Sequence, residues 1–196
     1  MVSVAVATLF VGLTPPAQAG NFSGATYATA ASCNVNMADN RDHFFWYSNI
    51  TSPTQIAVAW SRANNLDPTE MNTYNESNGF SNSTDVVVYD EDYSGTFCNK
   101  TWIDDPNVMT NRLFAAVRCA YLTSVGKCDQ YYVDFDNDFM GPRSAEAEAK
   151  LACHELGHTL GLMHRTMNTS CMIDPWDDNA ANRYYDGHDR AHIPTI

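Results

Sequence analysis

An α+β domain, a mixed twisted sheet backed by helices, is the fold this sequence predicts, and two observations carry it. Short β-branched and aromatic runs, "HFFWYS", "DVVVYD" and "CDQYYVDF", recur between turn-rich segments. They are interleaved with two helical stretches, of which the alanine-rich one after Ser144 is the stronger. The resulting order is strand, helix, several strands, long helix and an irregular C-terminal part. With 196 residues the chain has room for one such domain and a sizeable core, but not for two.

The chain opens on an apolar run, Met1 to Leu13, followed by Pro15, Pro16 and the small-residue site Ala17-Gln18-Ala19. That pattern is expected of a secretory signal peptide over residues 1–19, although a basic n-region is lacking. The run is well short of the roughly 20 apolar residues that span a bilayer. Residues 20–42, rich in Ser, Ala, Thr and Asn, read as an exposed N-terminal segment, which leaves 43–196 for the folded domain.

Within that domain His43 to Ser48 predicts a strand. Ser52 is a candidate N-cap with Pro53 at the first helical position, and Ile56, Val58, Ala59 and Ala63 form the apolar face of a helix. Met71 to Thr84 reads as loop. Asp85 to Tyr89 predicts a strand, and "FCNKTWID" a weaker one. "LFAAVRCAYL" fits helix or strand equally by period, "TSVGK" with Gly126 is a turn, and "CDQYYVDF" is a strand. The long helix starts at the N-cap Ser144, carries Glu146 and Glu148 where the helix dipole favours acids, and ends at Gly161. "MNTSCMIDPWDDN" is turn-rich, and "NRYYDGHDRAHI" suggests a short terminal helix.

The formal net charge of -12 and the pI of about 4.6 are spread along the chain. Such a surface repels phosphate backbones and anionic lipid, so neither nucleic acid nor membrane is expected as a partner, and a monomer is expected. Six cysteines remain after the signal: Cys33, Cys98, Cys119, Cys128, Cys153 and Cys171. An even count in an exported chain predicts three disulfides, with about 15 pairings possible. Cys119–Cys128, Cys153–Cys171 and, by elimination, Cys33–Cys98 are the pairs expected.

The richest chemistry lies in "CHELGHTLGLMHR", residues 153–165. His154 and His158, four apart on a helix, present both imidazoles from one face, about one turn apart. Glu155 borders the first of them without being needed as a ligand, which is where a general base for an activated water belongs. Gly161 lets the backbone turn where the helix must end and brings His164 back as a third ligand. Three neutral nitrogens leave a fourth position open, the arrangement of a catalytic zinc rather than a closed structural one.

"HELGHTLGLMH" matches the extended HExxHxxGxxH signature, and the chain resembles the metzincin metallopeptidases, most closely the matrixin branch by the distance from His164 to "SCMIDP". Only Cys153 to Pro175 matches specifically, although the element order fits from about His43. The resemblance implies a metzincin-like catalytic domain with a backing helix, an active-site helix and a small irregular C-terminal subdomain. It further implies one catalytic Zn²⁺ on His154, His158 and His164, Glu155 as general base and Met172 as the floor of a Met-turn. A sheet edge would pair with an extended protein or peptide substrate. A secreted zinc endopeptidase is the function expected. A catalytically silent binding module on the same scaffold is the alternative, which the intact Glu155 and all three histidines argue against.

Several features depart from the resemblance or stand outside it. Arg165 follows the third histidine, where the named branches carry other residues. No histidine lies between His43 and His154, so the second, structural zinc of matrixins is not expected. Asp174 stands where some branches have a tyrosine, leaving Tyr184 and Tyr185 as weak candidates for oxyanion help. Asp134, Asp136 and Asp138 alternate as in a Ca²⁺ loop but lack the glycine and glutamate of an EF-hand, so bound Ca²⁺ is a minor expectation. His188 and His192 repeat the i, i+4 spacing with no third ligand following. Cys33 or Asp39 could serve a short inhibitory pro-segment, a disulfide being the better role for Cys33.

Overall fold

The computed structural model describes residues 35–98, 100–102, 112–123, 126–166, 169–173 and 180–193. The signal sequence expected over 1–19 and Cys33 lie outside the described residues, as do Asp174 and Pro175.

The described residues form eight strands and three α-helices: β1 (Asp42–Tyr47), α1 (Ser52–Ser61), β2 (Asn72–Asn75), β3 (Val86–Glu91), β4 (Gly95–Phe97), β5 (Lys100–Trp102), β6 (Arg112–Leu113), β7 (Ala115–Leu122), β8 (Cys128–Asp136), α2 (Ala145–Thr159) and α3 (Gly187–His192). The main sheet runs β2-β1-β3-β8-β7; its first four strands are parallel and β7 is antiparallel to β8 at the edge. It is the mixed sheet of an α+β domain. β4, β5 and β6 make a separate small sheet.

Alternation along β1 turns His43 and Phe45 inward, where Phe45 joins Val86 and Val88 of β3 and Val133 and Phe135 of β8. Leu151, Ala152 and Leu156 of α2, with Leu160 at its C-cap, cover this inner face together with Ala57 and Val58 of α1. Cys153, Cys171, Met172, Tyr185 and Ile193 belong to the same cluster, so these C-terminal residues are built into the main core rather than appended to it.

Three sequence expectations need correction and one open reading is settled. The helix α1 is capped by Thr51 rather than Ser52, and its buried residues are Thr54, Ala57, Val58 and Ser61, while Ile56 is 64% exposed. Small side chains let α1 approach α2 closely, and the Thr54 hydroxyl is satisfied by Asp90, so polarity does not bar it from the interior. The supposed loop from Met71 to Thr84 contains β2, an edge strand whose polar side chains are tolerated because its register is set by backbone pairing to β1. The ambiguous "LFAAVRCAYL" is strand, held by pairing to β8 and the Cys119–Cys128 disulfide. Residues 20–42 are not exposed throughout: Asn36, Met37 and Ala38 are buried, because the chain there bonds to Cys128 at the start of β8.

Candidate metal centre

Helix α2 begins on Ser144, whose hydroxyl accepts from the Ala147 N–H at 3.3 Å. Buried Glu148 reaches back to accept from the Gly141 N–H at 2.8 Å. The helix ends in a paired C-terminal closure: the Gly161 N–H donates to His158 O at 3.1 Å and the Leu162 N–H to Gly157 O at 3.0 Å. Gly161 sits at φ +88°, a conformation costly to any residue with a Cβ. That reversal returns His164 to the helix face that bears His154 and His158.

The three imidazoles meet. Their ligand atoms lie within 4.8 Å of one another, with Nε2 of His158 and Nε2 of His164 3.1 Å apart. His154 and His158 are buried and His164 is exposed, so the group opens to solvent on one side. The other ring nitrogens of the buried pair are committed to backbone carbonyls: His154 Nδ1–H donates to Cys171 O at 2.8 Å and His158 Nδ1–H to Leu162 O at 2.7 Å. Donation from Nδ1 selects the tautomer whose Nε2 lone pair is available to a cation. Burial drives both rings toward the neutral form, pushing His158 down to about 3 and His154 well below the usual histidine range, with the neighbouring histidines adding to the effect. Three convergent imidazole nitrogens, two of them held neutral and oriented, are a donor set that could hold a metal ion and that fits zinc.

Glu155, next to His154, is 5% exposed. Burial pushes its carboxyl up to about 8, against the pull of the Lys100 ammonium and with a smaller push from Asp134. A bound dication would draw it back down. Lys100, on β5, also disfavours the charged forms of His154 and His158. No motif in the sequence pointed to Lys100, because the small sheet that delivers it is a tertiary feature.

Beneath the histidines, Cys153 is bonded to Cys171, and Met172 is fully buried. A Cβ built on Gly157 would stand 2.3 Å from Met172 Sδ and 2.9 Å from its Cε. Gly157 therefore lets the Met172 turn press directly against α2 between the two helical ligands. Its place between His154 and His158 was the available signal, unread in the sequence.

The remaining candidates fall elsewhere. Tyr185 is buried with its hydroxyl donating to Cys153 O at 3.0 Å, which commits it to the backbone, and Tyr184 is exposed and packs on Trp60 with ring centroids 5.3 Å apart. Asp134 accepts from Arg118 Nε at 3.3 Å, and Asp136 accepts from the Asp138 N–H at 2.8 Å; among the described residues, the only group of three or more convergent ligands is the histidine triad. His188 and His192 stack edge to face 4.7 Å apart on α3. Asp39 joins the start of β8 and is not in the triad. Cys98 is disulfide-bonded, and the expected partner, Cys33, is outside the described residues. No helix of the described residues is long and apolar enough to cross a membrane.

No family model matches this chain, and no curated protein does either.

Proposed function

We propose that the chain is a secreted zinc-dependent endopeptidase of metzincin type. The observation that carries this reading is the triad itself: three imidazoles converge, two of them with Nδ1 bonded to backbone carbonyls, and a buried carboxyl stands next to the first of them in the chain. A zinc ion held by His154, His158 and His164 would polarise a scissile carbonyl and acidify a water. The protein supplies the rest. Glu155, shielded from bulk solvent, takes the proton from the attacking water and returns it to the leaving amine. Backbone carbonyls of Cys171 and Leu162 hold two imidazoles in orientation throughout. The edge strand β7, against which α2 packs, offers a backbone ladder for an extended peptide. Both disulfides, and that of Cys98, suit export to an oxidising compartment.

Purified protein should contain one zinc per chain, digest casein, lose that activity with a chelator and regain it on adding zinc. Glu155→Gln should keep the zinc and lose cleavage by roughly 10²- to 10⁴-fold. Wild-type turnover by that variant rejects the role of Glu155. A zinc-loaded wild type that cleaves nothing in a diverse peptide library would instead favour a silent binding module.

A further inference from the structure

Arg165, the residue that follows the third histidine, carries a buried network that neither the metal nor the general base requires. Its backbone N–H donates to Met172 O at 2.7 Å, and Arg165 and Ile173 form a parallel bridge. Its side chain is only 7% exposed and reaches two carboxylates, Asp186 Oδ2 at 2.6 Å and Asp189 Oδ1 at 3.3 Å. Asp186 caps α3 by accepting from the N–H groups of His188 at 2.9 Å and Asp189 at 3.1 Å. The same two carboxylates hold the Met172 turn: Thr169 donates its hydroxyl to Asp186 at 2.6 Å and Ser170 donates to Asp189. Ser170 Oγ then accepts from the Met172 N–H at 3.1 Å. Between Ser170 and Met172 lies Cys171, whose carbonyl orients His154.

We infer that Arg165 is a positioning residue that fixes the relative orientation of His164 and His154 through Asp186, Asp189 and the Met172 turn. His164 is covalently next to the guanidinium's anchor, and His154 is reached through Ser170 and the Cys171 carbonyl. Two of the three ligands are thus held from one ion-pair cluster. A buried arginine suits this role because its planar fork can meet two carboxylates at once, and Asp189 is fully buried and Asp186 largely so. The inference rests on the reading of the triad as a metal centre and extends it to the support beneath.

The test is zinc affinity by chelator competition and the visible spectrum of the Co²⁺-substituted protein. Arg165→Met, Arg165→Lys and Ser170→Ala are compared with wild type and with the surface variant Arg41→Met. Loss of such support weakens metal binding about 10- to 100-fold. Arg165→Met should show that loss and a shifted Co²⁺ spectrum. Arg165→Lys, which keeps the charge but not the fork, should recover part of both, and Ser170→Ala should perturb the spectrum in the same direction. Arg41→Met should match wild type. If Arg165→Met does not fold, the lysine and Ser170 variants decide. Variants with lowered melting temperature but unchanged zinc affinity and Co²⁺ spectrum would overturn the inference by reducing Arg165 to a structural ion pair. A wild-type chain that takes up no zinc overturns the metal-centre reading, and the positioning role with it.

Discussion

His43 shows at the scale of one residue how burial writes a pH dependence into this protein. It lies on β1 with 1% of its surface exposed; Nδ1 is 3.2 Å from Asp42 O and Nε2 3.3 Å from the Thr159 hydroxyl. Burial pushes it down to about 4, helped by Arg62 and opposed by the Asp42 carbonyl and carboxylate. A histidine depressed in the folded state favours folding fully above its unfolded value of about 6.5 and loses that contribution as pH falls toward 4. The full difference amounts to about 3 kcal/mol. Denaturant melts at intervals between pH 7 and 4 should show stability declining across that window, and His43→Phe should flatten this part of the profile. An unchanged slope in the variant would assign the decline to other groups. From the sequence His43 was legible only as the first residue of a strand; in the fold it meets Thr159 at the end of α2 and the ring of Tyr131 on β8.

Among the elements, α2 and the Met172 turn are tied together by the Cys153–Cys171 disulfide and by close approach at Gly157. The helix was readable because each of its signals is local: the Ser144 cap, the alanine run, and Gly161 where the chain needs a positive φ. The turn's relation to it was not, since the space at Gly157 is defined by Met172 and Tyr185, residues 15 and 28 positions further along. Gly157→Ala improves local helix propensity by about 1 kcal/mol, yet it brings a methyl group into the buried thioether. The packing cost should win by one to a few kcal/mol, as overpacking of a filled core does, roughly 1–3 kcal/mol. Calorimetry should record a lower melting temperature, and the zinc affinity should fall with it as Met172 is displaced. A stabilised Gly157→Ala protein would show that the turn moves aside freely. The face of α1 was misread for a related reason: Ile56 looks like core by composition, but closeness to α2 favours the small residues on the opposite side.

At the level of the whole molecule, the metal centre is predicted to be part of the folding energetics. The histidines converge only in the folded chain, so a zinc ion held there would bind the native state preferentially and stabilise it by mass action, about 4 kcal/mol at a thousandfold excess over Kd. Removing zinc with a chelator should lower the melting temperature by several degrees, and returning it should restore the value; an identical melt with and without chelator would dissociate the triad from stability. By itself the sequence determined the features whose causes lie within a few residues. These are the α+β order of elements, α2 with its cap and end, and the histidines His154, His158 and His164 as a convergent set. The tertiary structure alone decided that β2 is a strand, that Asn36 to Ala38 are buried, that Lys100 acts on Glu155, and that Arg165 joins the Met172 turn to α3. Each of those depends on a contact between distant segments. The local pattern of charge and hydrophobicity is the same whether or not such a contact forms, and only packing chooses the partner.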